Sequence, residues 1–484
     1  MNFLNNGQGK QRNTRAEVFF IINEYTEKGN YLKDLINKHI DKPYFSDLDK
    51  RFIYEICKGT VKYLLKLDFL ISLYSKLKIK KIEPQVLNIL RISAYQLLFL
   101  SRVPAYSILD ESVKIAKKYI NISSSKFVNA VLRSISKQDN LLSYVNKKIE
   151  ESIQDKIIKL SLEHSFPQWL IKYWYEEFGQ DKTEKICIFL NEKPSTFIRI
   201  NNLKTNKILI SDGLSKLHNN FKKRDDKLFE DTIVLESTQN LEDLPQFKEG
   251  FLNVQDFSSQ IAVKYFLRPK KYERILDLCA APGGKTTYMA ELTEDSGEIV
   301  SVDISLKKIH LLEENVRKAG LKSIINVCAD VSKKDFLDNT GRTLNKSFVN
   351  YFDKIFLDAP CSALGTISKN PDVKYNKNIE MINRLSRLSY NMLENCKKYL
   401  KINGKIIFYT CTISAIENQK VVEKFMEKNK GKYKFERNMV PAILKEFLYK
   451  NNNITEESDE NYFEILPYYF QSEAGFITSI LKIA

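Results

Sequence analysis

The stretch from Arg274 to Asp303 constrains the fold of this chain more than any other. It reads Arg-Ile-Leu-Asp-Leu-Cys-Ala-Ala-Pro-Gly-Gly-Lys-Thr-Thr, then a helix-like run, then Ile299-Val300-Ser301-Val302-Asp303. Ile275 to Leu278 has the apolar pattern of a short buried strand. Ala280-Ala281-Pro282-Gly283-Gly284 is a turn of small residues, and Thr286 to Leu292 reads as a helix. A strand, a small-residue turn and a helix start let backbone N–H groups approach a nucleotide closely. Asp303 closes the next apolar strand, where an acid can accept hydrogen bonds from ribose hydroxyls. The spacing G-x-G-x-x-G is absent, which argues against a nicotinamide dinucleotide. Two later strand patterns end in reactive groups: Phe356-Leu357-Asp358-Ala359-Pro360-Cys361-Ser362 and Ile406-Ile407-Phe408-Tyr409-Thr410-Cys411-Thr412. Ligands of open parallel sheets bind beyond the carboxyl ends of strands, so all four segments are expected to share one crevice.

At about 150 residues per domain, 484 residues suggest three domains. The net charge of +16 points to a polyanionic partner such as a nucleic acid. Residues 1–140 hold 24 Lys and Arg against 13 Asp and Glu, most of that excess. The seven cysteines include no C-x-x-C pair, and the four histidines are scattered, so no metal site is expected. The thiols are expected to be reduced, as in a cytosol. Met1 to Arg15 is polar and lacks the apolar core of a signal peptide. The most apolar run, Ile92 to Leu100, is broken by Ser93 and Gln96 and falls short of the ~20 residues a membrane span needs. The expectation is a soluble, cytoplasmic protein with no membrane partner.

Residues 14 to about 140 read as helices, with Pro84 and Pro104 at helix starts and no repeat of 20–50 residues. From 140 to about 250 the pattern is mixed. Leu162 to Gly179 reads as a helix entered through Pro167, Thr196 to Asn201 as a strand, and Phe221 to Leu235 as one or two strands. Arg199 and Lys204 are candidates to hold phosphates there. Beyond 250, strands at 274–278, 298–303, 324–328, 353–358 and 404–410 alternate with helices at 285–292, 305–319, 376–400 and 415–428. Asn339 to Asn350 reads as a surface loop, and 463–467 with 475–481 as a closing antiparallel pair. The expected organisation is multidomain: an all-α bundle at 1–140, a small α+β connecting module at 141–250, and a Rossmann-like α/β sheet at 251–484.

Cysteine is the strongest thiol nucleophile once ionised. Cys361 and Cys411 follow two neighbouring strand patterns, whereas Cys57, Cys187, Cys328 and Cys396 read as core residues. Cys279, within the turn, is expected to pack beneath the nucleotide. Two thiols, one carboxylate and a nucleoside-cradling turn suit substitution at carbon 5 of a pyrimidine. A thiolate adding to carbon 6 turns carbon 5 into an enamine nucleophile. Asp358 can stabilise charge developing at ring nitrogen 3, and a base must then remove the carbon 5 proton.

These motifs resemble RNA cytosine-5 methyltransferases of the RsmB (Fmu/Sun) family. Asp47-Leu48-Asp49-Lys50-Arg51-Phe52, Gly59-Thr60-Val61 and Ile89 to Leu97 resemble a NusB-type RNA-binding domain, as do Glu111 to Lys117 and Lys126 to Arg133. Asn253 to Gln260, Asp358 to Ser362, Thr410-Cys411-Thr412 and Glu417-Asn418 resemble further motifs of the family. The resemblance implies a class I methyltransferase sheet that binds S-adenosylmethionine through Cys279, Ala280, Ala281, Pro282, Gly283, Gly284 and Lys285, with Asp303 on the ribose, Asp330 on the adenine edge and Asp358 facing both cofactor and base. It implies Cys411 as nucleophile, Cys361 as the group assisting release, and small-subunit (16S) ribosomal RNA as substrate of a monomer that does not act on DNA. Thr412 stands where the family often has serine, and Ser368-Lys369 where it often has two arginines. The competing readings are a non-catalytic RNA-binding or antitermination factor, a cytosine methyltransferase for another RNA, and a DNA enzyme with Cys361 as nucleophile. The paired thiols weigh against the first, the helical domain against the last.

Overall fold

The computed structural model describes residues 13–29, 31–206, 210, 221–222, 227–235, 241, 244–337, 347–452 and 461–484, in two compact units. Residues 1–12 of the polar N-terminus and 339–346 of the expected loop lie outside that description. None of the described helices is long and apolar enough to cross a membrane.

The first unit holds residues up to Asn191 together with 370–376. Its helices are Thr14–Lys28, Leu32–Ile40, Asp47–Lys62, Leu64–Tyr74, Pro84–Phe99, Ala105–Tyr119, Ile122–Ser136, Leu141–Ser152, Lys156–His164 and Gln168–Asn191, the last broken at Gly179. Their starts follow local chemistry. Asn13, Asn121 and Asp155 accept backbone N–H groups at helix starts, Ser46 and Asp49 form a capping box, and Pro84 occupies a first turn. Gly59 is needed for close approach, because a Cβ there would sit 1.9 Å from the Tyr95 ring. Helices continue past 140 to Asn191, and a helix is entered through Pro167 as expected, but it starts at Gln168 rather than Leu162 and runs beyond Gly179 to Asn191. The segment 370–376 packs among these helices. Leu32 N donates to Asp372, the buried Lys374 Nζ to Lys62 O at 2.7 Å, and Tyr375 Oη to Ser165 O.

One buried clasp makes this unit pH-sensitive. His39 Nδ1 lies 2.7 Å from Glu17 and Nε2 3.1 Å from Glu24. The hydrogen bond to Glu17 is the main reason the His39 pKa is raised, and His39 in turn draws Glu24 down to about 2. Folding therefore favours the imidazolium. Its contribution is complete below the unfolded histidine value of about 6.5 and is lost as pH rises through the higher folded value. The Glu24 contribution is complete above about 4.5 and is lost as pH falls toward 2. His39→Ala is expected to lower Tm most near pH 6, with the gap to wild type shrinking toward about pH 8.5. Thermal melts at both values check this, and a constant gap would mean His39 contributes only packing.

The second unit contains two sheets. The small one has antiparallel order β2-β3-β1-β4: β1 Thr196–Ile200, β2 Phe221–Lys222, β3 Thr232–Leu235 and β4 Leu252–Val254. Arg199, a candidate to hold a phosphate, is instead fully buried. Nε donates to Gln255, Nη2 to Thr287, and the guanidinium pairs with Glu291. Lys204 is also committed, its Nζ donating to Glu249 O and Lys318 O, the latter at a helix end.

The large sheet has order β10-β12-β9-β8-β5-β6-β7, with β11 paired to β12. Its strands are β5 Arg274–Leu278, β6 Glu298–Asp303, β7 Ile324–Cys328, β8 Phe352–Asp358, β9 Leu400–Thr410, β10 Tyr433–Phe435, β11 Phe463–Ile465 and β12 Gly475–Lys482. β7, β6, β5, β8 and β9 run parallel, and β12 joins β9 antiparallel. Near-continuous apolar runs such as Ile275-Leu276 and Ile406-Ile407-Phe408 suit strands covered on both faces. Helices Gly284–Leu292, Leu306–Ala319, Ile379–Cys396 and Gln419–Lys428 provide crossovers. The strand order brings the carboxyl ends of β6, β5, β8 and β9 side by side.

Candidate active site

The turn after β5 is shaped by its small residues. Ala280 N donates to Val302 O, and Gly283 N to Ala280 O, at 3.0 and 2.9 Å. Gly283 has φ 101°, and a Cβ on it would meet Leu312 at 3.0 Å. Asp303 closes β6 beside this turn, accepting hydrogen bonds from Ala281 N at 3.3 Å and Ser305 N at 3.1 Å. Asp330 follows β7 and accepts from Ser332 N and Oγ. The ends of β6 and β7 are joined through Ala329 N and Asp303 O. Just beyond Asp303, Ile304 is 65% exposed, an apolar surface at a polar sheet end. An acid, an apolar platform and a side-chain-poor turn fit an adenosyl nucleoside: carboxylate for ribose, Ile304 for the purine face.

The reactive groups gather beyond β8 and β9. Asp358 pairs across the sheet with Tyr409, so the segments that follow both strands emerge together. Cys361 Sγ and Cys411 Sγ are 3.5 Å apart. A buried clamp explains this proximity. Each cysteine is followed by a hydroxyl residue, and Ser362 Oγ meets Thr412 Oγ1 at 2.7 Å. Ser362 Oγ donates to the Glu417 carboxylate, which also receives Ser362 N at 2.7 Å, and Thr412 Oγ1 lies 3.4 Å from the same carboxylate. Asn418 accepts from Thr410 Oγ1 and donates to Thr412 O, fixing the other side of Cys411. The hydrogen bond with Cys361 first, and burial second, hold the Cys411 thiol well above the ordinary thiol range.

Lys285, the first lysine of the helix after the turn, connects the two halves. Its Nζ donates to Asp358 Oδ2 at 2.6 Å and lies 5.2 Å from the Tyr409 ring centroid. Burial opposes the charge on Lys285, but Asp358 outweighs it and raises the ammonium pKa. The expected site residues thus form two groups. Asp303 and Asp330 flank the turn on one side, and Asp358, Cys361 and Cys411 lie on the other. No direct contact joins Asp330 to the thiols among the described residues.

The sequence did not reveal the Lys285–Asp358 pair or the positioning function of Ser362 and Thr412, although hydroxyl residues directly after both cysteines were a usable signal. Lys369 is engaged too. It pairs with Asp256 and Glu473, both at 2.9 Å, inside the unit. Cys57, Cys187 and Cys396 are buried as expected, whereas Cys328 is exposed, its thiol 3.6 Å from Ile304 O. Its place at the open end of β7 explains the difference.

Comparison with known proteins gives three matched regions. Residues 264–480 match the family model for 16S rRNA methyltransferase RsmB/F, residues 12–137 the NusB family, and residues 166–242 the RsmF/B-like ferredoxin-like domain. The chain is 30% identical to the probable ribosomal RNA small subunit methyltransferase B of Bacillus subtilis, over 93% of its own length and 95% of that relative. It is 31% identical to the protein of the same description from Synechocystis sp., over 85% of this chain and 89% of that one. The crystal structure of PH0851 shares the fold with a TM-score of 0.73 at 21% identity, covering 99% of this chain and 100% of that chain.

Proposed function

Because the chain belongs to the 16S rRNA methyltransferase RsmB/F family, we propose that it methylates carbon 5 of a cytosine in small-subunit ribosomal RNA through a transient bond between Cys411 and carbon 6. S-adenosylmethionine, when bound, supplies the electrophilic methyl group. The turn from Cys279 through Ala280, Ala281, Pro282, Gly283 and Gly284 to Lys285 would hold it, with Asp303 on the ribose and Asp330 on the adenine edge. The observation that carries the reading is the 3.5 Å pair of thiols beside the Asp358–Lys285 ion pair.

Each group has one task. Cys411 adds to carbon 6. Its raised pKa means that it rests as a thiol, and Asp358 takes that proton as the bond from sulfur to carbon 6 forms. Asp358, carrying that proton, donates it to ring nitrogen 3, and the Lys285 ammonium offsets the charge that addition places there. Cys361 removes the carbon 5 proton, directly or through one water, and the Cys411 thiolate departs. The basic helical domain, proposed as residues 1–140, binds RNA, residues 141–250 connect, and residues 251–484 carry the chemistry. A base stacked in an A-form duplex is beyond the reach of these thiols, so the target is a loop cytosine or one extruded from its helix.

Bisulfite sequencing of small-subunit rRNA, from cells with and without the protein, tests the reaction. One cytosine should lose its protection in the deletion strain. An unchanged pattern would rule out cytosine-5 methylation of this RNA. The cofactor assignment has its own test. Asp303→Ala is expected to weaken S-adenosylmethionine binding by about 1.5–3 kcal/mol per lost ribose hydrogen bond to the carboxylate. Equal affinities by calorimetry would remove Asp303 from the cofactor site.

A further inference from the structure

Between helices Leu64–Tyr74 and Pro84–Phe99, the helical unit places four lysines within six residues: Lys76, Lys78, Lys80 and Lys81. All four are exposed. The backbone that carries them is well tied. Ser75 Oγ donates to Leu77 O and accepts from Leu77 N. Residues Ile79–Lys81 form a single 3-10 turn, with Lys81 N donating to Lys78 O at 2.8 Å and Ile82 N to Ile79 O at 3.2 Å. Ile79 packs against the bundle core, and Ile82 is buried within it. Anchoring these two isoleucines inward leaves the lysines no direction but outward.

Their charge is also uncompensated. Some lysines elsewhere in the unit meet acids: Lys28 meets Glu24, Lys114 meets Asp110, Lys148 meets Glu151 and Lys159 meets Glu150. None of the four turn lysines is in an ion pair among the described residues. The acid closest in sequence, Glu83, is itself exposed at the start of the next helix. Four unpaired ammonium groups on a pinned turn make a compact positive field. The backbone ordering needed for binding is already in place.

We infer that the Lys76–Lys81 turn docks the phosphate backbone of the RNA substrate at a distance from the target base. This rests on the reading of rRNA as substrate. Lysine meets phosphate as a point charge and reads no base edge, so the turn contributes affinity and placement rather than choice of cytosine. An anionic membrane is the weaker match. The turn has no aromatic anchor and no amphipathic helix with which to enter an interface.

The experiment measures binding of the full-length protein to an unmethylated 16S rRNA transcript across a salt series. The quadruple variant K76Q/K78Q/K80Q/K81Q is compared with K28Q/K114Q/K148Q/K159Q, which removes equal charge from lysines already held by acids. Neutralising the four lysines of the turn should reduce the slope of log K against log salt by about 3, at about 0.7–0.9 per phosphate contact. The control should move it by less than about 1, and S-adenosylmethionine affinity should stay within about twofold in both. Equal slope losses in the two variants, or none in the turn variant, would overturn the inference. Turn-dependent sedimentation with phosphatidylserine vesicles, with the RNA slope unmoved, would also overturn it and assign the turn to a membrane. If the wild-type protein fails to bind the transcript at all, the rRNA reading itself falls.

Discussion

Cys361→Ala is expected to accumulate a protein–RNA adduct that survives denaturant, whereas Cys411→Ala is expected to form none. Both thiols stand at strand ends, 3.5 Å apart, so position alone does not assign their roles. The roles fail in opposite ways. Without Cys411 no bond to carbon 6 forms, and methylation falls to background. Without Cys361 addition and methyl transfer proceed, but the carbon 5 proton stays and the Cys411 thiolate cannot leave. Turnover should drop by about 10²–10⁴, the usual contribution of a positioned acid–base group. Adding Asp358→Ala to Cys361→Ala should suppress the adduct, because Asp358 and its partner Lys285 support the addition step. A denaturing gel with labelled RNA reads all three variants. An adduct in Cys411→Ala and none in Cys361→Ala would reverse the assignment and make the chemistry that of the DNA enzymes.

The sheet was legible because its strands are covered on both faces. Runs such as Ile275-Leu276 and Val300-Ser301-Val302 have little choice but to be interior strands, and small or polar residues end each one. The candidate thiols were legible for the same reason, since each lies just beyond such a run. What sequence did not disclose depended on distant partners. Arg199 in an alternating strand looks like surface charge until Gln255, 56 residues on, and Glu291, 92 residues on, close around it. Lys374 gives no local sign that its ammonium is buried against Lys62 O and the Phe166 ring. Helix Leu141–Ser152 was missed because it buries only Val145 and Ile149, too sparse a stripe to show as periodicity.

Arg199→Met is expected to destabilise the protein by about 3–5 kcal/mol, and Arg199→Met/Glu291→Met by much less. The guanidinium is fully buried, donates to Gln255 and Thr287, pairs with Glu291 and lies 4.6 Å from the Tyr288 ring centroid. Removing it leaves a carboxylate with no cation in a site closed to water. Glu291 is already strained in this respect: burial raises its pKa to about 7, with Arg199 opposing the rise. The native state therefore binds a proton that the unfolded state releases near 4.5, and stability declines as pH rises from there through 7. Without Arg199 the folded pKa climbs further and the decline steepens. The Tm gap between wild type and Arg199→Met should be small near pH 5 and reach the order of 10 °C near pH 8. Because Thr287 and Glu291 lie on the helix that begins at Gly284, the single variant should also raise the KM for S-adenosylmethionine well below its Tm. Thermal melts across pH decide the energetic claim. A gap independent of pH, or a double variant that melts with the single one, would show that Arg199 acts through packing, with no buried carboxylate left to neutralise.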